Sequence, residues 1–370
     1  ECLKTGEKVT LGSRDFRFRP DGSFEPISGP SQFGRASDNE GNWFGVQNAH
    51  PLWHYVLDDR YLSRNPDVPA PDPRKQLRGV QPRVFAASRQ QKRFHGFDHV
   101  GRYTSACGIS IYRDEILFPK RPGQTVAFTC EPFSNLVQRH LLTEAGPSFN
   151  AERAADGDYD FFASADRWCR PVMSRTAPDG SLWVVDMYRY MIEHPQWLPP
   201  AGKEELKPDY YSGQAMGRIY RVAKTGARHQ WRDPDSPGNN GIARDIGLRE
   251  TFRTAGPPQL DGQRISEMLG DTSSHERRLA LQAAESLSRM PPALTDLADD
   301  PQPKVRLQAA FSLGEFAGAG AGEALARIAR RDGADPYFAA AVLSSAGPHY
   351  STLAEIADDL SAVSYTHLRA

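Results

Sequence analysis

The four cysteines, Cys2, Cys107, Cys130 and Cys169, show no C-x-x-C and no C-x-x-C-H spacing. A zinc ribbon and a covalent c-type haem are therefore excluded within these residues. Four widely separated thiols in 370 residues read as small buried hydrophobes, not as a disulfide scaffold. No apolar run approaches the ~20 residues that span a bilayer, so no membrane span is expected. Charge of one sign is not in excess, since 45 Lys and Arg face 46 Asp and Glu. The basic residues are scattered, and nucleic acid is not expected as a partner. No G-x-G-x-x-G opens a βαβ unit, and neither a P-loop nor a G-x-S-x-G elbow occurs, which leaves nicotinamide binding by a Rossmann domain unsupported. The H-x-H, H-E-x-x-H and EF-hand spacings are absent too, so the identity of any metal stays unknown.

Turns, by contrast, are plentiful, with 31 Gly and 29 Pro. Over 15–222 the chain reads as short strands between turns. Phe16 and Phe18 alternate before Pro20-Asp21-Gly22, and a return strand runs to Ile27, which is a hairpin signal. The same grammar recurs at Ala177-Pro178-Asp179-Gly180 before S-L-W-V-V-D, and more weakly from Ile109–Arg113 through a turn at 120–123 to V-A-F-T-C at 126–130. Each stretch closes on another strand-like run, at 53–57, 135–142 and 217–222. Three clusters of this size fit about three blades of a β-propeller, a partial ring, with long insertions at 63–101 and 194–215. A β-sandwich is the structural alternative.

A polar linker at 223–258 precedes a change of period. From Leu260 the pattern is helical and rich in Ala and Leu, and A-L-Q-A-A-E-S-L at 280–287 is nearly repeated as R-L-Q-A-A-F-S-L at 306–313. A looser copy is F-A-A-A-V-L-S-S at 338–345, and Asp300-Pro301 with Pro303, then Asp335-Pro336, supply turns between helices. Small residues at contact positions suit stacked helix pairs, so 259–362 is expected to form a HEAT-like α-solenoid, with a plain bundle as the alternative. Residues 363–370, V-S-Y-T-H-L-R-A, break the pattern, resemble translated adapter sequence and are read as a non-native tail. The fold class expected is thus multidomain β + α, in a fragment of a longer protein.

Several polar residues follow strands, where loops on one face would carry function. His50 could take a proton from a substrate hydroxyl while Asn48 orients it, or simply fix its loop. Glu131 and Asn135 could bind a cation or a sugar hydroxyl, or tie a tight turn. Asp186, Tyr188 and Arg189, with Glu193 and His194 further along, form the last such group.

Longer strings carry a family resemblance. D-F-R-F-R-P, Q-F-G-R, G-N-W-F-G, P-L-W-H-Y-V-L-D-D-R-Y-L, F-T-C-E-P-F-S-N-L-V-Q-R, C-R-P-V-M, A-P-D-G-S-L-W-V-V-D-M-Y-R and I-E-H-P-Q-W, spread over 15–222, together resemble the membrane-bound dehydrogenases abundant in planctomycetes. The resemblance implies an extracytoplasmic, periplasmic-type protein whose propeller is related to quinoprotein glucose and sorbosone dehydrogenases. Such a protein oxidises a sugar or polyol with pyrroloquinoline quinone and calcium and passes electrons to a cytochrome c domain, whose haem would lie outside these residues. By resemblance Arg170 is the matching quinone anchor, Gln32 and Arg35 stand in the relatives' R-N-P-x-G loop, and Ser134 replaces their lysine. The loss of that Asn, Pro and Lys leaves fewer groups for a trianion, and the relatives' catalytic His belongs to an earlier blade. The rival reading is a non-catalytic module that grips a glycan or protein with its strand region and recruits protein partners through the HEAT-like repeats.

Overall fold

The computed structural model describes residues 6, 8–18, 22, 24–89, 100–119, 121–207, 210–228, 241–242 and 260–357. Most of 223–258 and all of the 363–370 tail lie outside them. Antiparallel sheets fill roughly the first 220 residues and helices follow, as the change of period predicts.

Strands β1 (Asp15–Phe18) and β2 (Phe24–Ile27) form the expected hairpin, Phe18 opposite Phe24. Three further sheets come next. The first orders β3 (Arg35–Ser37), β4 (Trp43–Gln47), β5 (His50–Tyr55) and β6 (Arg74–Gln76). The second orders β7 (Cys107–Ile111), β8 (Gln124–Glu131), β9 (Leu136–Ala145) and β10 (Ser148–Arg153), with short β11 (Phe162–Ala163) also on β9. The third has β12 (Pro171–Thr176), β13 (Leu182–Asp186) and β14 (Arg218–Val222). Apart from β11, all pair as meanders of chain neighbours. The Pro178-Asp179-Gly180 turn joins β12 to β13: Ala177 N donates to Ser181 O at 2.8 Å, and Gly180 takes φ +77° where a Cβ would strike the Asp114 side chain at 2.9 Å.

The first strand of the second sheet packs against β3 on one side and β12 on the other. The period of two therefore splits β9 between two cores: Leu136 and Leu142 join Phe44, Val46, Leu52 and Phe149 toward the first sheet, while Val137 joins Phe128, Leu182 and Val184 toward the third. Short helices α1 (Asp59–Leu62) and α2 (Pro200–Leu206) interrupt this region.

The helical region comprises α3 (Gly262–Leu269), α4 (Ser274–Ala284), a 3-10 turn over Pro292–Asp299, α5 (Pro303–Leu313), α6 (Ala319–Asp332), α7 (Pro336–Ser344) and α8 (Tyr350–Ala357). Asp261, Ser273 and Asp335 cap α3, α4 and α7 with side-chain oxygens, and Pro303 and Pro336 open their helices where the missing N–H costs nothing. One continuous core runs through Leu281, Leu294, Val305, Leu313, Leu325 and Phe338. That core also takes in Val56, Leu57 and Tyr61, so the segment after β5 belongs by packing to the helices. Tyr61 lies flat on Phe311 at 4.4 Å and 10°, its hydroxyl donates to Glu285 at 2.7 Å, and Arg64 reaches Phe311 O and Ser345 Oγ, both at 2.9 Å. A second tie is Lys304, buried between Glu144 at 2.7 Å and the face of Phe149 at 3.7 Å.

Candidate functional site

Strand register gathers the expected site residues at one end of the three sheets. Arg35 lies opposite Gly45, Cys107 opposite Cys130 and Pro171 opposite Asp186, so each sheet's first strand starts beside the end of its second. Gln47-Asn48, Glu131–Asn135 and Asp186–Tyr188 are the connections that leave from that end. Bonds between sheets tie it together: Ala106 N donates to Asn48 O at 3.1 Å, and Arg170 Nη1 to Pro132 O at 3.0 Å.

Arg170 is 2% exposed, and its guanidinium serves main chain: Nε to Arg189 O at 3.0 Å, Nη1 to Pro132 O and to Phe133 O at 3.4 Å, Nη2 to Tyr190 O at 2.7 Å. It staples the loop after β8 to the loop after β13. Asp186 works from the other side, accepting from the N–H of Arg170 at 2.7 Å and of Tyr188 at 2.8 Å with one oxygen and from Arg218 at 3.0 Å with the other. These bonds hold Tyr188 at φ 50°, a left-handed conformation that a side chain adopts only under such constraint.

Glu131 is fully buried and takes four donors, the N–H of Thr104 and Ser105 at 3.2 and 3.0 Å and their hydroxyls at 3.3 and 2.7 Å. Burial outweighs these bonds and pushes its carboxyl up to about 7. Asn135 stands in a left-handed turn at φ 60° and donates to Cys169 O at 2.7 Å and Arg167 O at 3.1 Å. Ser134 beside it is fully buried, its hydroxyl without a partner.

On the first sheet, Arg35 pairs with Asp15 at 2.7 Å and lies 3.6 Å over the Tyr55 ring. Gln32 accepts from Asn48 N at 3.2 Å, and His50 Nδ1 meets Gln76 Oε1 at 3.2 Å. His194 is exposed and caps the turn Pro195–Trp197 through Gln196 N. His50 opens β5 of the first sheet, whereas His194 lies in the connection between β13 and β14 of the third, so the structure does not bring the two together.

A quinone or calcium ion would need Arg170 and Glu131 free, and both are engaged. An incoming carboxylate would have to displace four main-chain carbonyls from Arg170, and each Glu131 oxygen already accepts two bonds. Among the described residues no three His, Cys, Asp or Glu side chains form a metal-sized group. Arg170 and Glu131, bonded in this way, do not fit the roles of quinone anchor and calcium ligand. A cavity of about 250 Å³, lined by Asp38, Arg113, Asp114, Phe118, His275 and Glu276, opens at the opposite ends of β3 and β7, against α4.

Aromatic rings dominate the site end, Tyr188 among the expected residues and Trp168, Tyr190, Trp197 and Tyr211 beyond them. Trp168 stacks on Tyr190 at 5.2 Å and 29° and touches Tyr188 at 5.7 Å, while Arg218 covers the Tyr188 ring at 3.9 Å. Tyr190 and Tyr210 pack on a small core of Met191, Leu198 and Leu206, and beside them Trp197 and Tyr211 are 74% and 73% exposed. The density of Trp and Tyr between 168 and 211 was the available signal.

Comparison with curated proteins finds no match, and neither does comparison with solved structures. The family model described as "Domain of unknown function (DUF7133)" matches residues 2–226, more than half of the chain, and the protein belongs to that family.

Proposed function

We propose that the protein is a glycan-binding module, with its ligand held on the aromatic surface around Trp168. In this reading the three meander sheets are successive blades of a β-propeller arc and the helices a HEAT-like solenoid, supported by the packing of β7 between β3 and β12 and by the helix repeat. The observation that carries the function is the Trp168–Tyr190–Tyr188 cluster, on main chain that Arg170 and Asp186 tie down, with exposed Trp197 and Tyr211 nearby. Flat π faces accept the C–H faces of a pyranose, and the neighbouring Asp166 and Arg218 can bond its hydroxyls. The extracytoplasmic location implied by the family resemblance suits such a ligand.

The test is a tryptophan-fluorescence titration with neutral oligosaccharides, read beside Trp168→Ala. Saturable binding that weakens tenfold or more in the variant supports the proposal; wild-type affinity in the variant would move the ligand elsewhere. The second reading, a quinone-dependent sugar or polyol dehydrogenase that passes electrons to a cytochrome, draws on the convergence of His50, Asn48, Glu131 and Asp186 at that same end. A dye-linked assay with added quinone and calcium separates the two, since a binder shows ligand-dependent stabilisation without turnover.

A further inference from the structure

We propose that Cys107 and Cys130 form a disulfide that staples β7 to β8 when the chain folds in the presence of a low-molecular-weight disulfide. The two residues are direct partners across the antiparallel pair. Opposed residues in such a ladder share one face with Cα atoms ~4.5–5.5 Å apart. That range falls inside the ~4.4–6.8 Å a disulfide spans.

Both thiols point the same way. Cys107 Sγ reaches Val172 O at 3.5 Å, Cys130 lies beside the Ser174 side chain, and the two share one apolar cluster with Leu182 and Val184, so the pair faces the third sheet from one side. The backbone fixes the approach. Gly108 follows Cys107 at φ +57°, where a Cβ would lie 2.3 Å from Val172 O, and the register shifts just beyond it, between Cys107 and Ser110. Cys169 stands apart, its thiol beside Asp186 and Ser164. Cys2 lies outside the described residues.

The chemistry is two successive exchanges. One cysteine thiolate attacks an external disulfide RS–SR, forming a mixed disulfide and releasing RS⁻. The second thiolate then attacks the protein sulfur of that mixed disulfide and expels the other RS⁻. The two thiol protons end on two RSH, and the two electrons leave the cysteine sulfurs for the external disulfide. In the folded chain Cys130 is fully buried and Cys107 8% exposed, and burial pushes both thiols up, that of Cys130 to about 12. Exchange therefore takes place while the sheet is still open, and closure of the sheet then shields the bond from reductants.

The full-length protein is unfolded in denaturant with reductant, refolded with oxidised glutathione, alkylated in denaturant and mapped by peptide mass spectrometry. The same is done with a Cys2→Ser/Cys169→Ser double variant, which keeps only the proposed pair and does not depend on a Cys107 or Cys130 substitution folding. The expected result in both is a peptide carrying Cys107 linked to one carrying Cys130, with a melting temperature about 5 °C above that of the reduced protein. Recovery of both cysteines fully alkylated, or linkage of either to Cys2 or Cys169, would overturn the proposal.

Discussion

Arg170 in the sheet region and Arg306 in the helical region are both buried, yet they are satisfied by different parts of the molecule. Arg170 gives four bonds to main-chain carbonyls of two loops and none to a carboxylate, whereas Arg306 meets Asp332 through two bonds of 2.7 Å and adds two to Asp300 O and Pro301 O at 2.7 and 3.4 Å. Arg277 repeats the carboxylate pairing, with Asp300 at 2.6 and 3.0 Å, and adds Asp271 O and Thr272 O at 2.8 and 3.0 Å. Helices satisfy their own main chain, so a buried guanidinium there must find a carboxylate. Loops between strands leave carbonyls over, and a buried arginine can serve as their donor. A buried charge at the end of a strand, as Arg170 shows, can be part of the backbone's hydrogen bonding instead of part of a binding site.

The largest expected effect tests that difference. Arg170→Met leaves the carbonyls of Pro132, Phe133, Arg189 and Tyr190 without their donor, and should cost about 3–5 kcal/mol in urea unfolding. Arg306→Met should cost a similar amount by stranding Asp332, but Arg306→Met with Asp332→Leu should recover most of it, because both partners are then gone. No second substitution can rescue Arg170→Met in this way. Equal recovery at both sites would break the comparison.

Stability against pH sharpens it next. Burial holds the Glu131 carboxyl at about 7, above its usual 4.5, so the folded state holds the proton more tightly and loses stability as pH rises from 4.5 to about 7. His140 is fully buried with neither ring nitrogen partnered, and burial lowers it to about 3 from 6.5. The unfolded chain then binds the extra proton, and stability falls as pH drops from 6.5 toward 3. His54 is lowered by burial in the same direction. Glu131→Gln should remove the loss between pH 4.5 and 7, and His140→Leu should flatten the acid side, each by about 1–3 kcal/mol in unfolding measured at several pH values.

Tyr61→Phe probes the seam between the regions. It keeps the stack on Phe311 but removes the hydroxyl shared by Glu285 and Gln308, and should cost about 1–2 kcal/mol in thermal unfolding. Arg264→Ala, in an exposed pair with Glu267, should change stability by less than about 0.5 kcal/mol by the same measurement.

What the sequence showed and hid follows the same physics. The runs around 126–130 and 181–186 sit in β8 and β13, because contiguous β-branched and aromatic residues mark buried strands. Strand β12 was missed, since Ser174, Arg175 and Thr176 break its apolar pattern while its partners lie in β7 and β13. Helix α6 lies within the stretch read as helical but has no repeat of its own, because Gly318, Gly320 and Gly322 dilute its apolar pattern, although Leu325 and Ile328 behind them are fully buried. The residues of the site end were legible as strand-end polar groups. Their partners were not, because Arg170 and Asn135 bond carbonyls, and a carbonyl has no letter in the sequence. The docking of Tyr61 on Phe311 was hidden for a simpler reason, a separation of 250 positions being invisible to any local pattern.

The most direct test of the account is the melting temperature of the full-length protein with saturating neutral oligosaccharide and, separately, with pyrroloquinoline quinone and calcium. The account predicts a concentration-dependent rise with the oligosaccharide that Trp168→Ala loses, and no shift with the quinone. A saturable rise with quinone that Arg170→Lys abolishes would contradict it, and would return Arg170 from staple to cofactor anchor.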